Sequence, residues 1–296
     1  MGAERNPGAG MKHSPTNPAS PARDWAAVLL LPIAFAIPAL RRRAWRSFYQ
    51  LFASADPDAF ALMNYGYAGE TQPPLDPDQE HERYAYQLYH RVAAAVDLSD
   101  RDVLEVGCGR GGGTAYLARR FGPRLVVGID LAPAAIRLCR ERHRGDNLRF
   151  EIGDAMALPF PDASFDAVVN VESAFCYPSR AGFYAEVRRV LRDGGHFLYA
   201  DIFDRGQVGR IETALQRAGF ALVEAASIND EVIAACDRDA DRRRALIDRL
   251  CRSRLTRTIA YNFAAIPGHF IYRRLAAGRR QYRAYCLRAL EKAHAG

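Results

Sequence analysis

The chain has 296 residues, 49% of them hydrophobic, with 41 Lys and Arg against 34 Asp and Glu for a formal net charge of +7. That is enough apolar sequence for one large core, or a core with a cap, and it excludes a disordered or collagen-like chain. Most of the positive excess is arginine, gathered in 41–46, 238–257 and 273–283; with no recognition motif beside it, this reads as solvated helix faces first, as a surface for an anionic substrate or membrane second, and not as a nucleic-acid site.

Residues 1–23 are rich in Pro, Gly, Ala, Ser and Asn, and a disordered tail is expected there. The stretch 25–40 is then apolar for 16 residues with Pro32 and Pro38 inside it. A membrane helix wants about 20 residues, and the prolines weaken a straight helix. The basic residues follow the apolar run and no small-x-small cleavage site stands out, which argues against a signal peptide. An apolar and helical lid is therefore expected over 24–79, with peripheral membrane contact through 25–52; a signal or a single span is the alternative. Trp45, Phe48, Tyr49 and Phe52 recur at helical spacing. Asn64-Tyr65-Gly66-Tyr67 follows, then a polar, proline-bearing loop to Asp78, and a helix is expected over 82–96.

From there the chain alternates. Apolar runs predict strands at 102–106, 125–129, 148–152, 166–170, 195–201, 221–227 and 281–288, with helices between them. Such alternation implies a mostly parallel sheet covered on both faces. In the helix expected at 180–191, Ser179 caps the start, Phe183, Val187 and Val190 make an apolar stripe, and Gly194 and Gly195 are expected to stop it. Over 229–277 the strand signal disappears. A charged stretch at 237–244 and a helical pattern at 245–255 read as an inserted cap, punctuated by Ile266-Pro267-Gly268. The six cysteines, Cys108, Cys139, Cys176, Cys236, Cys251 and Cys286, form no C-x-x-C pair and fit reduced thiols in a cytoplasmic protein, and no metal-ligand spacing is present.

The chemistry concentrates at the first strand. Val103-Leu104-Glu105-Val106 breaks into Gly107-Cys108-Gly109-Arg110-Gly111-Gly112-Gly113, followed by a helical pattern at 114–121. Strand, glycine turn and helix bring backbone close to a nucleotide-like ligand, because a side chain would block the approach. The spacing Gly107-x-Gly109-x-Gly111 is tighter than the G-x-G-x-x-G dinucleotide fingerprint. An acid, Asp130, ends the next strand and is placed to accept hydrogen bonds from both hydroxyls of a ribose. A third acid, Asp154, follows the strand after that. An NAD-type Rossmann domain is the alternative.

These residues resemble the class I S-adenosylmethionine methyltransferases. The resemblance implies that Glu105, Gly107, Cys108, Gly109, Asp130, Leu131, Asp154, Ala155 and Asn170 bind S-adenosyl-L-methionine. The glycines would take its methionine end, Asp130 the ribose and Asp154 the adenine amine. It also implies a fold: an α/β, Rossmann-like, seven-stranded and mostly parallel sheet with an antiparallel last strand, plus helical N-terminal and cap segments. On that plan 80–228 is the S-adenosylmethionine-binding core, 229–280 a helical substrate cap, and 281–296 the last strand and C-terminus.

Leu88-Tyr89-His90-Arg91, the glycine loop, 136–143, Asn170-Val171-Glu172, Cys176-Tyr177-Pro178 and Tyr282-Arg283-x-Tyr285-Cys286 are similar to the phthiotriolone/phenolphthiotriolone dimycocerosate methyltransferases and related polyketide O-methyltransferases. The similarity spans about 44–287 and implies a polyketide, lipid or other secondary-metabolite hydroxyl as acceptor. Similar enzymes often carry a histidine just before the Cys-Tyr-Pro triplet, where it acts as base; this chain has Phe175. The base is then expected to be His269, in the cap, or Asp201, at the end of the fifth strand. Phe175, Tyr177 and Glu172 are expected to line the substrate side. Two alternatives remain: C-methylation of a prenyl or quinone-like acceptor, since Leu158-Pro159-Phe160-Pro161 with Ser164-Phe165-Asp166 is shared with quinone methyltransferases, and a non-catalytic S-adenosylmethionine-binding partner protein.

Overall fold

A computed structural model of the chain describes residues 59–292; the expected tail at 1–23 and the apolar and aromatic stretch at 25–52 lie outside the described residues. Among the described residues the first α-helix, α1, is Arg83–Ala93, shorter at both ends than the 82–96 expected. It leads into β1 (Asp102–Val106), whose five residues are all buried. Then come α2 (Gly112–Arg120), β2 (Leu125–Asp130), α3 (Pro133–Arg142), β3 (Leu148–Ile152), β4 (Phe165–Val171), α4 (Arg180–Val190), β5 (Leu191–Asp204), α5 (Val208–Arg217) and β6 (Phe220–Ser227). Four helices follow, α6 (Asn229–Arg238), α7 (Ala240–Leu250), α8 (Arg254–Phe263) and α9 (Phe270–Ala276), before the last strand, β7 (Arg280–Ala289).

The strands form one seven-stranded sheet in the order β3-β2-β1-β4-β5-β7-β6. Strands β3, β2, β1, β4 and β5 pair in parallel, while β7 runs antiparallel to both its neighbours. The central strands are continuous apolar runs because helices cover both faces, and two large clusters of buried side chains lie on the two sides. The strand order reverses between β1 and β4, so ligands are expected at the carboxyl ends of those strands.

Three local expectations are corrected. Helix α4 does begin at Ser179, whose Oγ accepts from the Gly182 N–H at 3.0 Å. It ends at Val190, however, because Leu191 turns straight into extended backbone and pairs with Phe165. Gly194, with φ of 76°, bends the chain within β5 instead of stopping a helix. Strand β5 also continues three residues beyond Asp201, because β7 pairs with it through Asp204↔Arg280. The helical pattern at 245–255 is two helices: α7 stops at Leu250, and Ser253 caps α8 by accepting from the Thr256 N–H at 3.1 Å. All six cysteines are free thiols. Among the described residues no helix is long and apolar enough to cross a membrane.

Candidate functional site

The glycine loop after β1 lies where the strand order reverses. Gly107, Gly109 and Gly111 all adopt the left-handed backbone, with φ of 78°, 55° and 80°. That alternation curls the loop into a concave wall. At Gly109 a Cβ would meet nothing nearer than Met63 Cε at 3.9 Å, so this glycine leaves the cleft itself open. Gly113 serves a different purpose: a Cβ there would fall 2.1 Å from Tyr89 Cε1, so the helix start must be bare for α1 to pack against it.

The resulting cleft is lined by Gly107, Cys108, Gly109, Asp130, Leu131, Asp154, Ala155, Glu172 and Tyr177 among the expected residues. Asp130 closes β2 and accepts from the backbone N–H of Gly109 at 3.0 Å and of Ala132 at 2.9 Å. Burial pushes its carboxyl up from the usual range, and those backbone donors work against the shift. Asp154 accepts from the Met156 N–H at 2.9 Å, in the tight turn after β3.

Glu105 and Asn170 are not on the cleft surface. Glu105 is wholly buried inside β1; it accepts from the Tyr89 hydroxyl at 2.6 Å and from the Thr114 hydroxyl, so it ties α1 and α2 to the strand beneath the loop. Burial, opposed by those two donors, pushes its carboxyl up to about 7. Asn170, also wholly buried, donates to the Val106 carbonyl at 2.8 Å and to Ser173 Oγ at 2.6 Å. Ser173 in turn shares a 2.9 Å bond with the Tyr177 hydroxyl, and both press against Gly107. Both residues therefore shape the loop from behind.

A second, mostly apolar cleft adjoins the first. Its walls are the front strap (Phe60, Leu62, Met63) and the cap helices α7 and α8, with Leu246, Leu250 and Phe263. Leu62, Met63 and Glu172 line both clefts. Glu172 sits just past β4 with φ of 47°, an uncommon backbone for a non-glycine residue and one that clusters at functional sites. Its Oε1 accepts from the Tyr65 N–H at 2.6 Å and from the Tyr282 hydroxyl at 2.8 Å. Burial first, and the Asp201 charge second, push this carboxyl up; the two donors and Arg243 oppose them, and it settles at about 8.

The other acid-base candidates lie elsewhere. Asp201 is wholly buried within β5, where it accepts from the Tyr199 hydroxyl at 3.1 Å and the Ile202 N–H at 2.8 Å, with Arg180 3.7 Å away. Burial raises it to about 6, against the pull of Arg180 and a backbone bond from Phe175. His269 precedes α9, its ring 5.1 Å from that of Tyr261, and burial with Arg244 and Arg273 lowers its proton affinity. Neither lines either cleft. Phe175 is half-buried, its ring 6.5 Å from that of Phe263 on α8. The sequence reading missed the strap residues 61–63, Ser173 and the apolar cap cleft; Asn64-Tyr65-Gly66-Tyr67, singled out as a motif, was the signal that marked the strap.

The first cleft fits S-adenosylmethionine. It has a concave glycine wall, a carboxylate at the end of β2 for hydroxyl donors, a second at the end of β3, and apolar walls from Leu62, Leu131 and Ala155 for a purine. A family model for a methyltransferase domain matches residues 104–199. The chain is 42% identical over 233 residues to a fatty-acid O-methyltransferase of Mycolicibacterium smegmatis, covering 77% of this chain and 83% of that one. It is 40% identical over 250 residues to a phthiotriol/phenolphthiotriol dimycocerosates methyltransferase of Mycobacterium tuberculosis, covering 83% and 92%. Among solved structures it resembles the [4+2]-cyclase SpnF, with a TM-score of 0.61, 21% identity and coverage of 83% and 93%. It also resembles geranyl diphosphate C-methyltransferase from Streptomyces coelicolor bound to S-adenosyl-L-homocysteine, with a TM-score of 0.57, 16% identity and coverage of 83% and 98%. Those low identities speak to the fold alone, whose members include a cyclase. The two closer sequence matches decide the family: the chain belongs to the S-adenosylmethionine-dependent methyltransferases that include the fatty-acid O-methyltransferase and the phthiotriol/phenolphthiotriol dimycocerosates methyltransferases.

Proposed function

We propose that the enzyme methylates a hydroxyl of a lipid-like or polyketide acceptor whose apolar chain lies in the cap cleft. The observation that carries this is the shared wall: Glu172 belongs to both the glycine-loop cleft and the apolar one. The names of the relatives, a fatty-acid O-methyltransferase and phthiotriol dimycocerosates methyltransferases, support the acceptor class. S-adenosylmethionine, when bound, supplies a methyl group carried on a sulfonium. Gly107, Cys108 and Gly109 would hold its amino-acid end, Asp130 its ribose hydroxyls, and Asp154, Ala155 and Leu131 its adenine. Glu105 and Asn170 would keep that wall in shape.

The chain's own work is alignment, exclusion of water, and removal of one proton. Glu172 takes the acceptor's hydroxyl proton, in place of the expected Asp201 and His269. Both donors to its carboxylate fall on Oε1, which leaves Oε2 to face an acceptor. A base poised at about 8 suits an alcohol near neutrality better than a solvated carboxylate would. Tyr177 and Phe175 would close the substrate side. Residues 25–52 would serve as lid or as peripheral contact of a cytoplasmic protein with the membrane that holds such acceptors.

The test is transfer of labelled methyl from S-adenosylmethionine to a panel: long-chain fatty acids, 3-hydroxy fatty acids, long-chain diols and prenyl diphosphates. Label in a methyl ether of an apolar hydroxylated acceptor is expected; label in a methyl ester alone would make the acceptor a carboxylate, which needs no base. Label only in a carbon–carbon bond would replace this reading with C-methylation, and binding without transfer to any acceptor would favour a silent partner protein.

A further inference from the structure

One residue of the front strap is held by core and cap at once. The Tyr65 N–H donates to Glu172 at 2.6 Å, while the carbonyl of the same residue accepts from Arg243 Nη2 at 2.9 Å and lies 3.8 Å from the Cys236 thiol. Arg243, on α7, is 7% exposed. Its guanidinium also donates to Asp239 at 2.8 Å, to the Ala264 carbonyl, beyond α8, at 3.2 Å, and to the Cys236 sulfur on α6 at 3.8 Å. A buried guanidinium thus joins α6, α7, the end of α8 and the strap. The backbone of Tyr65 carries that order to Glu172, 107 residues further along the chain.

We propose that Arg243 is a positioning residue: through Tyr65 it fixes the placement and the charge of Glu172, so that a docked cap and a competent base go together. The proposal rests on Glu172 being the base. The groups that face Glu172 are Tyr65 from the strap, Tyr282 from β7, Asp201 from β5, Tyr89 from α1, Cys236 from α6 and Arg243 from α7. Arg243 is the cation among them, so its removal raises the proton affinity of Glu172. Asp239, its counter-ion, acts in the opposite sense.

The test compares Arg243→Met, Arg243→Lys and Asp239→Asn in the full chain. Titration of the Glu172 carboxyl is followed by pH-difference infrared spectroscopy without cofactor or acceptor, with Glu172→Gln assigning the band. Turnover is followed against pH with S-adenosylmethionine and a long-chain 3-hydroxy fatty acid. In Arg243→Met the midpoint should move up by about one pH unit, with kcat at pH 7 down about tenfold and recovering at high pH. Arg243→Lys should restore most of the shift, and Asp239→Asn should move the midpoint down. An unmoved midpoint in Arg243→Met, or a loss of turnover equal at every pH, overturns the proposal. Should Arg243→Met fail to fold, Asp239→Asn decides, and an unmoved or raised midpoint there overturns it. If the infrared shifts occur but Glu172→Gln keeps full turnover, the base assignment fails while the positioning of the carboxyl stands.

Discussion

Asp130 and Glu172 are two acids on one cleft, both raised by burial but held by different donors. Asp130 accepts backbone N–H groups from Gly109 and Ala132, donors that favour a charged carboxylate and tie it to the glycine loop. Replacing it with alanine should remove a charge-assisted bond to the ribose and weaken S-adenosylmethionine binding by about 1.5–3 kcal/mol, read by calorimetry; unchanged affinity would overturn its role. Glu172 has one backbone donor and one phenol, and burial prevails over them. Glu172→Gln keeps the shape and removes the basicity. It should lower kcat by about 10²–10⁴-fold while cofactor affinity is preserved, and the rising limb of turnover around the pH of about 8 at which this carboxyl loses its proton should vanish. A change in KM alone would make it a wall of the pocket.

Among the elements, the cap helices α7 and α8 wall the apolar cleft proposed to hold the acceptor. Helices α7 and α8 meet the strap over a groove whose side chains include Leu246, Leu250 and Phe263, and Phe263 also packs on Phe175 after β4. An aromatic pair of this kind holds α8 over the core by dispersion and apolar burial. Phe263→Ala should therefore widen the cap cleft without touching the glycine loop. A several-fold rise in KM for long-chain acceptors is expected, with S-adenosylmethionine affinity constant; equal losses for short and long acceptors would mean that the groove does not hold the chain.

For the molecule as a whole, buried acids set the pH dependence of stability. Glu105, Asp201 and Glu172 are raised to about 7, 6 and 8 by burial. A raised acid keeps its proton longer in the folded state than in the unfolded one. Its stabilising effect is full below the unfolded value, near 4, and is lost as pH climbs through the folded value. Asp166 and Asp193, lowered chiefly by hydrogen bonds and arginines against the cost of burial, act oppositely and lose their contribution only in stronger acid. Urea unfolding should thus give greater stability near pH 5.5 than near pH 8.5, by on the order of a few kcal/mol. Glu172→Gln should flatten that slope, and a stability that rises over the same interval would contradict the burial of these acids.

What the sequence determined by itself was local. The period of its apolar runs located seven strands to within a few residues, because the central runs are buried on both faces and leave no alternative pattern. The glycine loop and the acids after β2 and β3 were legible because adjacent strand ends bring them together whatever the rest of the chain does. Choosing among the acids was not local. Asp201 read as a strand end, yet pairing with β7 carries β5 past it and seals it in the core. His269 read as a base from its chemistry, yet it follows a turn in the cap beside two arginines. Glu172 gained its place from a left-handed backbone angle and from bonds to Tyr65 and Tyr282, 107 and 110 residues away. Periodicity reports which face of an element is apolar; only tertiary packing decides which buried acid is left facing a cleft.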